Sequence, residues 1–131
     1  MTCVFVLPYF MLGQDQIWYK TEKEVKKLIQ GDWAIVSRTF ERKAETIDKT
    51  YGFSVYKKKD SLKLDSFYYI NNKKEEKESN FGLLVHKRET KFSFCKDYDY
   101  KISCQEIRYI DSTKVILEQG PNISIYKRIK N

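Results

Sequence analysis

The stretch "LIQGDWAIVSRTF", residues 28–40, holds the change of period on which the fold turns. The run that leads into it, "KTEKEVKKLIQ" (20–30), has the period of a helix. Val25, Leu28 and Ile29 fall at i, i+3 and i+4 on one face, and the lysines take the other. Thr21 followed by Glu24 has the spacing of a capping box, and Gly31 reads as the residue that stops the helix. From Trp33 onward apolar and polar residues alternate, which is the period of a strand with two unlike faces. A short amphipathic helix therefore feeds directly into a strand. Its narrow apolar stripe has to lie on whatever that strand helps to build.

The alternation persists to the C-terminus. It predicts strands near 33–41, 50–58, 61–70, 79–88, 90–96, 99–110, 113–119 and 122–130. The links between them are short ("KKKDS", "NNKKEEKES", "KDYD", "DST", "GPN"), apart from "RKAETIDKT". Short links join neighbours as antiparallel hairpins, so the order is a meander. Eight such strands in an open sheet would expose two edges, and closure removes both. The expected fold is all-β with a short N-terminal helix: an eight-stranded antiparallel up-and-down barrel.

Composition agrees with one domain of this kind. The chain has 131 residues, and its aromatic content is mostly Tyr and Phe, at 10 and 8 residues. The formal charge is +7, but 25 basic residues are interspersed with 18 acidic ones. The densest charged run, "NNKKEEKESN" (71–80), carries both signs and reads as a solvated hairpin tip rather than a nucleic-acid surface.

At the N-terminus, "MTCVFVLPYFMLGQ" is apolar from Cys3 to Leu12. That length suits the apolar part of a secretory signal and is too short to span a bilayer as a helix. Residues 1–13 are assigned to a signal-peptide remnant and 14–131 to a single barrel domain, which places the protein in the periplasm or outside the cell. The missing basic residues before the run, and Pro8 and Tyr9 inside it, fit the alternative of a strand or tail packed on a cytoplasmic domain.

The phase of the alternation names the residues that face the barrel interior: Phe53 and Val55; Leu62, Leu64 and Tyr68; Phe81, Leu83 and Val85; Phe92 and Phe94. In the 99–110 segment the phase slips between Ile102 and Ile107, which predicts a bulge around residues 103–106. In a barrel of this size such residues either fill the interior or leave room for one small ligand. Cys95 lies opposite in phase to Phe92 and Phe94, whereas Cys104 shares the phase of Ile102, so parity argues against a bridge between them unless the bulge rescues it. No Cys-x-x-Cys and no pair of histidines is present to hold a metal, and the single His86 alternates outward from Val85. No nucleophile elbow or Gly-rich phosphate loop occurs, and no acid/base pair is evident. A non-enzymatic protein without a cofactor is expected.

The helix followed by "GDWAIV", together with the closing "ISIYKRIK", resembles the lipocalin superfamily, in particular its small bacterial lipocalin-like domains, over about residues 25–130. That resemblance implies an eight-stranded barrel in which Trp33 packs at the closed end and Arg128 lies across its ring as a cation over an indole face. It also implies a protein that holds a small apolar or amphipathic molecule in the barrel. Ligand would enter at the opposite mouth, lined by some of Phe53, Val55, Leu64, Tyr68, Leu83, Phe92 and Phe94. Two alternatives stay open. One is a packed barrel with no ligand that acts as a structural or protein-interaction module. The other is an OB-like nucleic-acid binder, which the strand count disfavours. The expected partner is a small apolar ligand, with neither nucleic acid nor stable membrane insertion.

Overall fold

A computed structural model describes residues 17–47 and 50–129. The assignment of residues 1–13 to a signal remnant lies outside the described residues. Helix α1 (Glu22–Leu28) is followed by β1 (Gly31–Phe40), β2 (Lys43–Ala44), β3 (Tyr51–Lys58), β4 (Ser61–Ile70), β5 (Lys73–Arg88), β6 (Lys91–Asp97), β7 (Ile102–Ile110), β8 (Lys114–Gln119) and β9 (Asn122–Arg128). Each long strand pairs antiparallel with its sequence neighbours, and β9 returns to pair with β1, closing an eight-stranded barrel. β2 is a two-residue return from the end of β1 and lies outside the closed ring. Among the described residues no helix is long and apolar enough to cross a membrane.

The helix starts where its capping box places it. Thr21 Oγ1 accepts from the Glu24 N–H at 3.0 Å, and Glu24 Oε1 accepts from the Thr21 N–H at 2.9 Å. It ends at Leu28, before the glycine assigned to stop it. Gly31 instead opens β1 at φ +135, and a Cβ there would lie 2.2 Å from the Arg128 guanidinium. The residue is needed for that close passage as well as for its backbone angle.

The charged run 71–80 departs from its reading as a hairpin tip. The turn is only Asn71–Asn72, both at positive φ (51 and 65), and β5 already begins at Lys73. Two consecutive left-handed residues make the tight hairpin turn whose twist matches paired strands, and Asn tolerates that conformation. Of the charged residues that follow, Lys73, Glu76 and Lys77 are exposed, while Lys74 and Glu75 are half-buried.

Register assigns the inner face. Trp33 lies opposite Phe53, Val55 opposite Leu64, Leu62 opposite Leu83, Val85 opposite Phe94, and Phe92 opposite Ile107. These residues join Val25, Ile29 and Ile17 from the N-terminal segment in one buried cluster, with Leu62 packed against it. The break in β7 falls at Arg108, between the pairs of Ile107 and Tyr109, and not at residues 103–106. Ile107 and Ile110 are both buried on either side of it. Ile102 points outward and is 58% exposed.

That orientation corrects the cysteine reading. Cys104 shares the outward phase of Ile102, and Cys95 is outward because Phe92 and Phe94 are inward, so the two cysteines share a face. They are direct cross-strand partners, and a disulfide joins them. The mistaken parity came from taking Ile102 as a core residue on hydrophobicity alone.

Two changes test this architecture. Trp33 is fully buried, and Trp33→Ala is expected to cost about 3–5 kcal/mol in urea unfolding, the range for truncating a buried aromatic. Replacing Cys95 and Cys104 together by Ala is expected to cost about 2–3 kcal/mol, because a bridge across a short loop removes limited entropy from the unfolded chain. A matching loss on adding reductant to the parent protein checks the second value.

Candidate functional site

The closed end of the barrel is built around the junction of α1 and β1. A helix leaves its last carbonyls without intrahelical donors, and here side chains from the first and last barrel strands supply them. Trp33 Nε1–H donates to the Ile29 carbonyl at 2.8 Å. Arg128 Nη1 donates to the Gln30 carbonyl at 2.6 Å, and Nη2 donates to that of Leu28. The guanidinium lies 4.3 Å from the centre of the Trp33 ring, and Trp33 and Arg128 are register partners across β1 and β9. Arg128 Nε also donates to the Ser112 carbonyl at 2.7 Å, which ties in the β7–β8 turn.

That turn is organised by Asp111. Its Oδ1 accepts from the Thr113 N–H, the Thr113 hydroxyl and the Lys114 N–H, and its Oδ2 accepts from the Tyr109 hydroxyl, at 2.7–2.9 Å. Partial burial opposes ionisation, but these donors outweigh it and hold the carboxyl down at about 2. Lys87 closes the other side of the same end. Its Nζ donates to the carbonyls of Trp18 and Lys20, and its N–H donates to Glu22 Oε1 at 2.8 Å.

The interior residues named from the sequence separate into two groups. Phe53, Val55, Leu64, Leu83, Phe92 and Phe94 are each 6% exposed or less and belong to the single buried cluster. The Phe53 ring is 5.5 Å from that of Phe94 and 4.9 Å from that of Tyr126. Tyr68 keeps the phase of Leu64 through an unbroken ladder with β3, but it lies toward the open rim opposite Tyr51 and is 41% exposed. It is a rim residue rather than part of the lumen packing. Phe67 takes the opposite phase, yet it is buried on the outer wall. It lies across Gly52, where a Cβ would come 2.7 Å from its ring and 1.8 Å from the Trp33 carbonyl oxygen. Lys74 covers Phe67 with its Nζ 4.5 Å from the ring centre. Alternation alone could not find Phe67, because its burial depends on a glycine in the neighbouring strand.

Polar groups gather at the open mouth, beyond the buried cluster. Arg38 donates to the Tyr51 hydroxyl at 2.8 Å, and its Nε lies 3.0 Å from Glu45. Tyr126 stands nearby, its hydroxyl pushed up to about 12 by burial and then by the neighbouring Tyr51, so it stays neutral. Among the described residues no group of three His, Cys, Asp or Glu side chains is placed to hold a metal.

A groove that sequence reasoning did not identify lies beside the helix. It measures about 620 Å³ and runs between α1, the β3–β4 turn and the β5 segment Gly82–His86. Two further hollows on the barrel exterior measure about 470 and 280 Å³. The large groove exists because β4 and β5 diverge. Their pairing at this end stops at Leu62 and Leu83, while β5 runs on to Arg88 paired only with β6. Leu62, Leu83, Leu84 and Val85 supply apolar lining, and Lys23, Lys26, Lys27, Lys57 and Lys63 stand around it. His86 is exposed on its wall.

The Asp111 turn generates a pH dependence. A carboxyl whose folded value is depressed contributes stability above its unfolded value, about 3.9, and loses that contribution as pH falls through the folded value. Stability is therefore expected to decline between about pH 4 and pH 2, and Asp111→Asn should flatten this part of the profile while lowering stability at neutral pH. Urea midpoints measured across that range check both effects. Comparison of the chain with family models, curated proteins and solved structures found no match.

Proposed function

We propose that the protein is a non-enzymatic binding protein of lipocalin type that works outside the cytoplasm and holds one small apolar or amphipathic molecule against its barrel. The observation that carries this reading is the groove beside α1. Its volume of about 620 Å³ lies within the range of small-molecule sites, and an apolar lining edged by a few polar groups is their usual make-up. The packed interior favours a ligand seated at the β4–β5 divergence over one deep in the lumen. The lipocalin reading draws its support from the Trp33–Arg128 closure that joins first strand to last. The Cys95–Cys104 bridge supports an oxidising compartment, since such bridges form and persist in secreted and periplasmic proteins.

A second reading has its own observation. Phe53, Phe92 and Phe94 fill the lumen themselves, as the interior of a ligand-free barrel would be filled, and the protein would then act through its outer surface as an interaction module.

Native mass spectrometry of protein purified from its own host, followed by organic extraction, separates the two. The binding reading expects a non-covalent adduct that extraction removes and identifies as a small apolar or amphipathic compound. Bare polypeptide under gentle conditions, with nothing in the extract, transfers the assignment to the packed module.

A further inference from the structure

We infer that the groove beside α1 takes a monomeric, single-chain amphiphile with an anionic head group, a carboxylate, sulfate or phosphate monoester. The inference rests on the binding reading above and names its ligand class and seat. The seat is at the helix-covered end of the barrel, away from the mouth that the sequence assigns to ligand entry.

Charge is the first argument. Five lysines and His86 line the groove, and Asp60 is the one acid lining it. Lys26 is engaged by Glu22 at 3.1 Å. Among the described residues no acid lies within ion-pair distance of Lys23, Lys27, Lys57 or Lys63. These four cations come from two separate elements, α1 and the β3–β4 hairpin, and so face the groove from both sides. An anion between them would meet uncompensated positive charge over a low-dielectric floor, where attraction is stronger than at an open surface.

The floor determines what is attached to that anion. Leu83 and Val85 belong to the buried cluster and Leu62 packs against it, while Leu84 is 41% exposed. An alkyl chain laid here removes its own surface and that of Leu84 from water, and it extends the barrel's own core outward between β4 and β5. A small inorganic anion would leave this floor uncovered.

A peptide adding itself as a strand to β5 in the groove is excluded by length. On its β4 side β5 is paired up to Leu83, and beyond it the Lys87 N–H is taken by Glu22. The β5 edge that faces the groove is thus only Leu84–His86, about 10 Å at the rise of a strand, too short for the main-chain ladder that gives strand addition its affinity.

Isothermal titration with dodecanoate, dodecanol and dodecyltrimethylammonium, each below its micellar concentration, tests the assignment on the full chain. Dodecanoate should bind about tenfold more tightly than dodecanol, as expected when several exposed lysines each add a small increment, and the cationic probe should bind most weakly. Lys27→Glu with Lys57→Glu should remove that advantage and leave dodecanol affinity within about twofold, since only the charge term changes. Lys43→Glu with Lys73→Glu carries the same change in net charge away from the groove and should leave the dodecanoate advantage in place. Thermal melts of both double variants confirm that they are folded.

Equal binding of dodecanoate and dodecanol, or equal loss in the two double variants, overturns the anionic assignment and leaves an apolar groove intact. Failure of all three probes to bind overturns the groove as a ligand seat and with it the observation that carries the binding reading. Competition by an oligoglutamate peptide without dodecanoate binding, or capture by phosphatidylglycerol vesicles without monomer binding, also overturns it, in favour of an acidic protein or a lipid surface.

Discussion

The guanidinium of Arg128 is the constraint around which this barrel is organised. A helix of only seven residues has little stability of its own, because nucleating a helix costs more than so few hydrogen bonds return. Its last carbonyls are the part most in need of partners. Here those of Leu28 and Gln30 are taken by Arg128 and that of Ile29 by Trp33. The cation also stands at the negative end of the helix, where it is favoured. The same two side chains are partners in the ladder that closes β9 onto β1. Helix docking, capping of the barrel and closure of the sheet are therefore one structural event. Gly31 permits it by leaving space for the guanidinium, and the Asp111 turn supports it by fixing the Ser112 carbonyl that receives Arg128 Nε.

Because the closed end is held in this way, the interior can be filled from it outward. The buried, inward-facing aromatic and aliphatic residues of β3 to β8 form one cluster with Trp33 and with Val25 and Ile29 of the N-terminal segment, and polar side chains gather toward the mouth. Space for a ligand then has to come from a defect in the barrel wall. The divergence of β4 from β5 supplies one, since β5 continues past the β3–β4 turn to reach the helix and leaves a short edge with no strand beside it. The carboxylate of Glu22 covers one N–H of that edge. The groove is what remains between these elements.

The outer wall carries two stabilising devices that complement this arrangement. The disulfide joins β6 to β7 on the solvent side, where it does not compete with lumen packing. Across the barrel, Gly52 lets β3 approach the Trp33 backbone, and Phe67 covers the glycine from outside, restoring the apolar contact that a missing side chain would have made.

Local periodicity and capping chemistry were sufficient for the architecture. The change from a helical to a strand period at Gly31–Trp33, the Thr21–Glu24 box and the short links are all encoded within a few residues of chain, so helix, strand count and closed meander were legible in the sequence. So were the inward phases of Phe53, Val55, Leu64, Leu83, Phe92 and Phe94. Features that depend on a neighbouring strand were not. Ile102 looks like a core residue until register places it outward, and only then do Cys95 and Cys104 share a face. Asn71–Asn72 is a tight turn because β5 pairs with β4 immediately after it. Phe67 is buried by a glycine fifteen positions earlier in the chain, and Tyr68, in phase with the lumen, is exposed because it stands near the rim. The groove belongs to the same class. It is set by where one ladder stops and another continues, and by lysines from two elements that only the closed barrel brings together, so its existence was decided by tertiary structure.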